Sequence, residues 1–140
     1  MKTEILNRFL SYVAIDTRSD DTSTTFPSTA KQFDMLNLLH DQLKAFGLAD
    51  VSIDANGYVM GTLPSKKKKK VPVIGLVAHV DTSPDMSGAN VKPRLVENYD
   101  GKDVVLNAEK NIILSPADFP ELREYQGQTL IVTDGTTLLG

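Results

Sequence analysis

The chain has 140 residues, the usual span of a single domain, and 41% are hydrophobic, so it can bury a core. That core must be mainly aliphatic, because aromatics reach only 6% and tryptophan is absent. The absence of cysteine excludes disulfides and thiolate metal sites and fits a reducing cytoplasm. The formal charge is −3, yet residues 66–70 supply five of the 15 basic side chains; elsewhere ten basic residues face 18 acidic ones, a balance of −8 that argues against a nucleic-acid-binding surface.

The first residues, Met1-Lys2-Thr3-Glu4-Ile5-Leu6-Asn7-Arg8, are polar and amphipathic and lack a signal-peptide core; no run anywhere approaches membrane-spanning length. Ile5, Leu6, Phe9, Leu10 and Val13 recur at helical spacing and predict a first short helix. Residues 16–27 are dense in Ser, Thr and Asp and read as a loop. A second helix is expected from Ser28 or Thr29, where Thr29 and Gln32 match a capping box. Leu36, Leu39, Leu43 and Phe46 form its core-facing stripe, and Gly47 is placed to end it. Val51-Ser52-Ile53-Asp54 and Tyr58-Val59-Met60-Gly61-Thr62-Leu63 flank Asn56-Gly57, a strong hairpin signal. The next segment, the lysine run, has no interleaved aromatics and reads as a solvated loop, since like charges repel and stay hydrated.

Residues 71–78, Val-Pro-Val-Ile-Gly-Leu-Val-Ala, form a short apolar run without alternation, which predicts a strand buried on both faces, over about 71–79. Residues 82–94 then read as a loop. Leu95-Val96 and Val104-Val105-Leu106 flank Asp100-Gly101 and suggest a second hairpin. Ser115, Pro116 and Asp118 suit the first turn of a short helix through about Arg123. Residues 128–132 read as a strand ending in the turn Asp134-Gly135. No internal repeat and no second domain is visible, so the whole of 1–140 reads as one α/β unit.

The apolar run ends in His79-Val80-Asp81. A buried parallel strand delivers its C-terminal residues to the crevice where open α/β sheets hold ligands. In extended backbone, residues two apart point the same way. An imidazole and a carboxylate at that spacing suit a metal-ligating His oriented by an Asp, although His-x-Asp by itself also fits a surface His beside a loop Asp. His40 lies off the apolar stripe of its helix and reads as a surface residue; Asp134 reads as a turn residue, and Asp85 as part of a loop, although it could also reach the crevice.

The stretch Gly75-Leu76-Val77-Ala78-His79-Val80-Asp81-Thr82-Ser83-Pro84-Asp85 closely resembles the start of the active site in the peptidase T family. These are zinc aminotripeptidases among the co-catalytic zinc exopeptidases, related to the aminoacylases. Further segments agree in order: Arg8-Phe9-Leu10-Ser11-Tyr12-Val13, Asp16-Thr17-Arg18-Ser19, Pro27-Ser28-Thr29, Val96-Glu97-Asn98-Tyr99, Leu114-Ser115-Pro116, and the stretch from Gly127 to Gly140. The resemblance implies the N-terminal part of a zinc-exopeptidase-like catalytic domain, a mixed sheet flanked by helices, cut short after Gly140. In that family Leu-Leu-Gly precedes an aspartate that bridges two zinc ions, and the general-base glutamate and remaining ligands lie further on. Carried over residue by residue, the resemblance makes His79 a zinc ligand and Asp81 the acid that holds and polarises its ring. It implies a cytoplasmic enzyme with two zinc ions that acts on tripeptides, with no nucleic-acid or membrane partner. This part alone is expected to be inactive and to self-associate. Two alternatives remain: another member of the same zinc family, a dipeptidase or deacylase, and a non-catalytic α/β module that uses its lysine loop to bind an anionic partner.

Overall fold

The computed structural model describes residues 2–139. Their contacts gather into two compact units. One is Thr17–Pro84; the other joins the residues up to Asp16 with those from Asp85 onward. The described residues form an α/β chain with three two-stranded antiparallel sheets.

In the unit Thr17–Pro84, helix α2 (Gln32–Ala45) packs on the hairpin of β1 (Ala49–Ile53) and β2 (Val59–Thr62). The helix begins three residues after Thr29. The Thr29 hydroxyl donates to the Arg18 carbonyl (2.9 Å) instead of capping the helix, while the Gln32 side-chain amide reaches back to the Thr29 and Ser28 hydroxyls (3.1 Å each). The far end closes as expected. Gly47, at φ +76°, donates to Lys44 O and Leu48 N–H donates to Leu43 O, the paired bonds of a Schellman motif. Met35 and Leu36 are buried, whereas Phe46, expected in the core-facing stripe, is exposed at the C-terminal cap.

The Asn56-Gly57 hairpin forms. Asp54 Oδ1 accepts the N–H groups of Asn56 (3.0 Å) and Tyr58 (2.8 Å), holding the turn from its entry. Gly57 sits at φ +85°, and a Cβ there would stand 2.9 Å from Leu36 Cδ1, so both the backbone and helix packing require glycine.

The largest departure from the sequence reading lies in residues 71–79. No strand forms there. Val73, Ile74, Leu76 and Val77 are 83–98% exposed, and the neighbouring pairing is an isolated parallel bridge between Arg18 and Thr82. The expected buried strand is therefore corrected to an open, unpaired segment. A fully buried strand needs partners on both edges and cover on both faces. The pattern of a run reveals that it needs cover, but not where the cover comes from.

In the other unit, α1 spans Lys2–Val13 and turns Val13 into the core. Strand β3 (Arg94–Val96) pairs with β6 (Leu130–Val132), and β4 (Val104–Asn107) pairs with β5 (Ile112–Leu114). This corrects the expected hairpin around Asp100-Gly101. The cause is Tyr99, whose side chain is almost fully buried. Its N–H donates to Gln128 O (2.8 Å), its carbonyl accepts from Gly127 N–H (2.7 Å), and its hydroxyl donates to Lys102 O (2.7 Å). These bonds fasten the end of β3 to the approach of β6 and send the chain away from a local return. The local hairpin instead turns through residues 108–111, with Asn111 at φ +51°. Ser115 does act as a turn-former, accepting from Ala117 N–H (3.2 Å) and donating to Asp103 (2.6 Å), but the regular helix is displaced to a 3-10 turn, Pro120–Tyr125.

Among the described residues no helix is long and apolar enough to cross a membrane.

Candidate metal-ligand site

His79 and Asp81 meet. His79 Nδ1 lies 3.1 Å from Asp81 Oδ1, and the imidazole is 85% exposed. With Nδ1–H donated to the carboxylate, the lone pair sits on Nε2, the arrangement in which an imidazole serves as a metal ligand. The pair lies at the end of the open segment 71–79. The backbone just beyond the pair is firmly held. Thr82 N–H donates to Thr17 O (3.1 Å), and Thr82 O accepts from Ser19 N–H (2.9 Å) and from Ser19 Oγ (2.8 Å). Thr17 is buried, so this anchor is inside the unit. Thr82 Oγ1 is itself buried and has no hydrogen-bond partner among the described residues, a polar atom left over at the foot of the pair.

The chemistry of this donor set fits one metal ligand with its orienting acid. It does not make a complete site, since no group of three or more His, Cys, Asp or Glu side chains able to hold a metal occurs among the described residues. Zinc sites normally draw three or four protein ligands. His40 does not join His79. It pairs with its neighbour Asp41 (Nδ1–Oδ1 3.1 Å), and its side chain is only 18% exposed, more enclosed than the surface position expected. Asp134 is the turn residue expected: its Oδ1 accepts from Thr136 Oγ1 (2.6 Å) and N–H (3.0 Å), and those bonds hold its carboxyl below the usual range. Asp85 lies exposed in a loop, as expected. A depression of about 630 Å³ edged by Lys102, Asp103, Ser115 and Arg123 involves neither His79 nor Asp81.

Sequence reasoning gave no role to Arg18 or Ser19. The signal was present in Asp16-Thr17-Arg18-Ser19, one of the segments that carried the family resemblance, but a contact over 60 residues of separation leaves no local pattern.

Comparison with known proteins places the likeness among peptidases, although no family model matches the chain. The particular likeness is to peptidase T. The chain is 63% identical over 138 residues to the peptidase T of Alkaliphilus oremlandii, covering 97% of this chain and 34% of that protein. It is 57% identical over its full length to the peptidase T of a Geobacillus species and 58% identical over 137 residues to that of Clostridium botulinum, again spanning 34% of each. The resemblance read from the motifs is borne out, and the chain spans about a third of the length of these relatives.

Proposed function

We propose that the chain is the N-terminal part of a cytoplasmic dizinc aminotripeptidase, an enzyme that releases the N-terminal residue from tripeptides. The observation that carries this reading is identity of 55–63% to peptidase T along essentially the whole chain, through the His79–Asp81 pair. In this reading the fold is the first part of a zinc-exopeptidase-like domain with a mixed sheet. Residues 71–79 are the strand that the rest of such a protein covers, which accounts for side chains as apolar as Val73, Ile74, Leu76 and Val77 standing open.

His79 would hold a zinc ion through Nε2, and Asp81 would fix the ring tautomer and raise the basicity of that nitrogen. The zinc pair, when bound, supplies an activated water and a grip on the scissile carbonyl oxygen. The remaining ligands and the general base belong to the polypeptide that occupies the other two-thirds of the relatives' length. By itself the chain is catalytically silent.

The test joins this chain to the remaining two-thirds of the Alkaliphilus oremlandii relative and measures zinc content. The joined protein is expected to hold two zinc ions and His79→Ala to lose at least one. Unchanged zinc content in His79→Ala, with the fold intact, would remove His79 from the ligand set.

A further inference from the structure

The His79–Asp81 pair stands on a segment that no strand supports, and yet the two side chains are held at 3.1 Å. The support enters just after the pair. Ser19 directs two donors, its N–H and its hydroxyl, at the single carbonyl of Thr82 (2.9 and 2.8 Å). Arg18 directs two guanidinium donors at the carbonyl of Pro84: Nε at 2.9 Å, and Nη2 as well. A guanidinium presents its donors in a rigid fork, and bonds from a charged donor are stronger than neutral ones. Arg18 is braced in turn. Its carbonyl accepts the Thr29 hydroxyl (2.9 Å), and Thr29 is bonded by Gln32 at the start of α2. A continuous series of bonds therefore runs from the first residue of α2 through Thr29 and Arg18 to Pro84, with Ser19 gripping Thr82 beside it.

From this we infer that Arg18 and Ser19 are positioning residues. They grip the carbonyls of Pro84 and Thr82, fix the backbone of residues 82–84, and so hold Asp81 where it orients the His79 ring. The consequence for hydrolysis rests on the function proposed above, but the grip and its effect on the ring are properties of this chain alone.

Accordingly, the test uses the 140-residue chain and needs no activity. Two quantities are read by NMR: exchange of the Thr82 and Ser19 amide protons, and the imidazole nitrogen shifts of His79 at about pH 9, where an ordinary imidazole is neutral and its tautomer is visible. His40, paired with Asp41 on α2, is the internal control. Arg18→Ala is expected to speed both amides at least about tenfold, while the Asp54 amide in the hairpin keeps its rate. It is also expected to shift His79 away from the Nδ1–H form and leave His40 unchanged. Arg18→Lys, which keeps the charge but not the fork, should fall between; it also serves as the readable variant should Arg18→Ala unfold. Ser19→Ala should speed the same amides. If Arg18→Lys and Ser19→Ala leave both the exchange rates and the His79 shifts as in the parent, the inference is overturned. It is equally overturned if the amides loosen while the His79 tautomer stays fixed, because the grip would then be structural only.

Discussion

Val73 and Val77 both lie in the open segment and are 97% and 98% exposed. Replacing both by serine removes almost no buried surface from this chain. Its stability should therefore change by no more than about 0.5 kcal/mol, as for ordinary surface substitutions. The outcome should differ once the rest of a peptidase T covers the segment. Fully burying a valine contributes about 1.5–3 kcal/mol, so the pair should contribute about 3–6 kcal/mol to that association. By the usual conversion this is about two to four orders of magnitude in dissociation constant. The assay has two arms. Urea denaturation compares the parent chain with Val73→Ser/Val77→Ser. Titration with the separately produced remainder of the Alkaliphilus oremlandii relative compares their affinities. The reasoning is refuted if the double variant destabilises the isolated chain by more than about 1 kcal/mol, because the segment would then pack within it. It is refuted equally if both chains bind the remainder alike.

Three further outcomes are expected. Burial, with Asp100 and Asp103 adding, holds the Tyr99 phenol above its ordinary value of 10.0. Its neutral form therefore contributes stability that is complete below about pH 10 and lost as pH rises through the raised folded value; Tyr99→Phe should lower the urea midpoint at neutral pH but flatten its alkaline fall, and an unchanged alkaline slope would contradict this. Replacing residues 66–70, all exposed, with serine should move stability by no more than about 0.5 kcal/mol although the formal charge falls from −3 to −8; a larger loss in thermal melts would show that the run packs or binds. In the joined protein Asp81→Asn should keep the fold and lower zinc affinity or rate about 10–100-fold, and full activity with normal affinity in a chelator titration would remove its orienting role.

Where a signal was local, the sequence disclosed the structure. The spacing of Leu6, Phe9, Leu10 and Val13 marked α1, Gly47 marked the end of α2, and Asn56-Gly57 marked the hairpin, because each depends on residues within one or two turns of chain. The failures share a cause in long-range pairing. Asp100-Gly101 looks like a hairpin turn, but Tyr99 is bonded to Gln128 and Gly127, nearly thirty residues on, and β3 follows that bond to β6. The 71–79 run is apolar enough for a buried strand, yet burial depends on partners that its own sequence does not specify. For the site, the short spacing of His79-x-Asp81 pointed to the contact that forms, whereas the Arg18 and Ser19 contacts, made through backbone carbonyls, had no motif to reveal them.

The central claim, that this chain supplies the first zinc ligand and its orienting acid to an aminotripeptidase, is tested most directly by tripeptide hydrolysis. The assay uses the 140-residue chain alone, the chain joined to the remaining two-thirds of the Alkaliphilus oremlandii relative, and the joined His79→Ala variant, each with zinc and again with a chelator. The account predicts no turnover by the chain alone, chelator-sensitive release of the N-terminal residue by the joined protein, and loss of that release in His79→Ala. Robust chelator-sensitive turnover by the chain alone, or undiminished turnover by a folded His79→Ala protein, would contradict it.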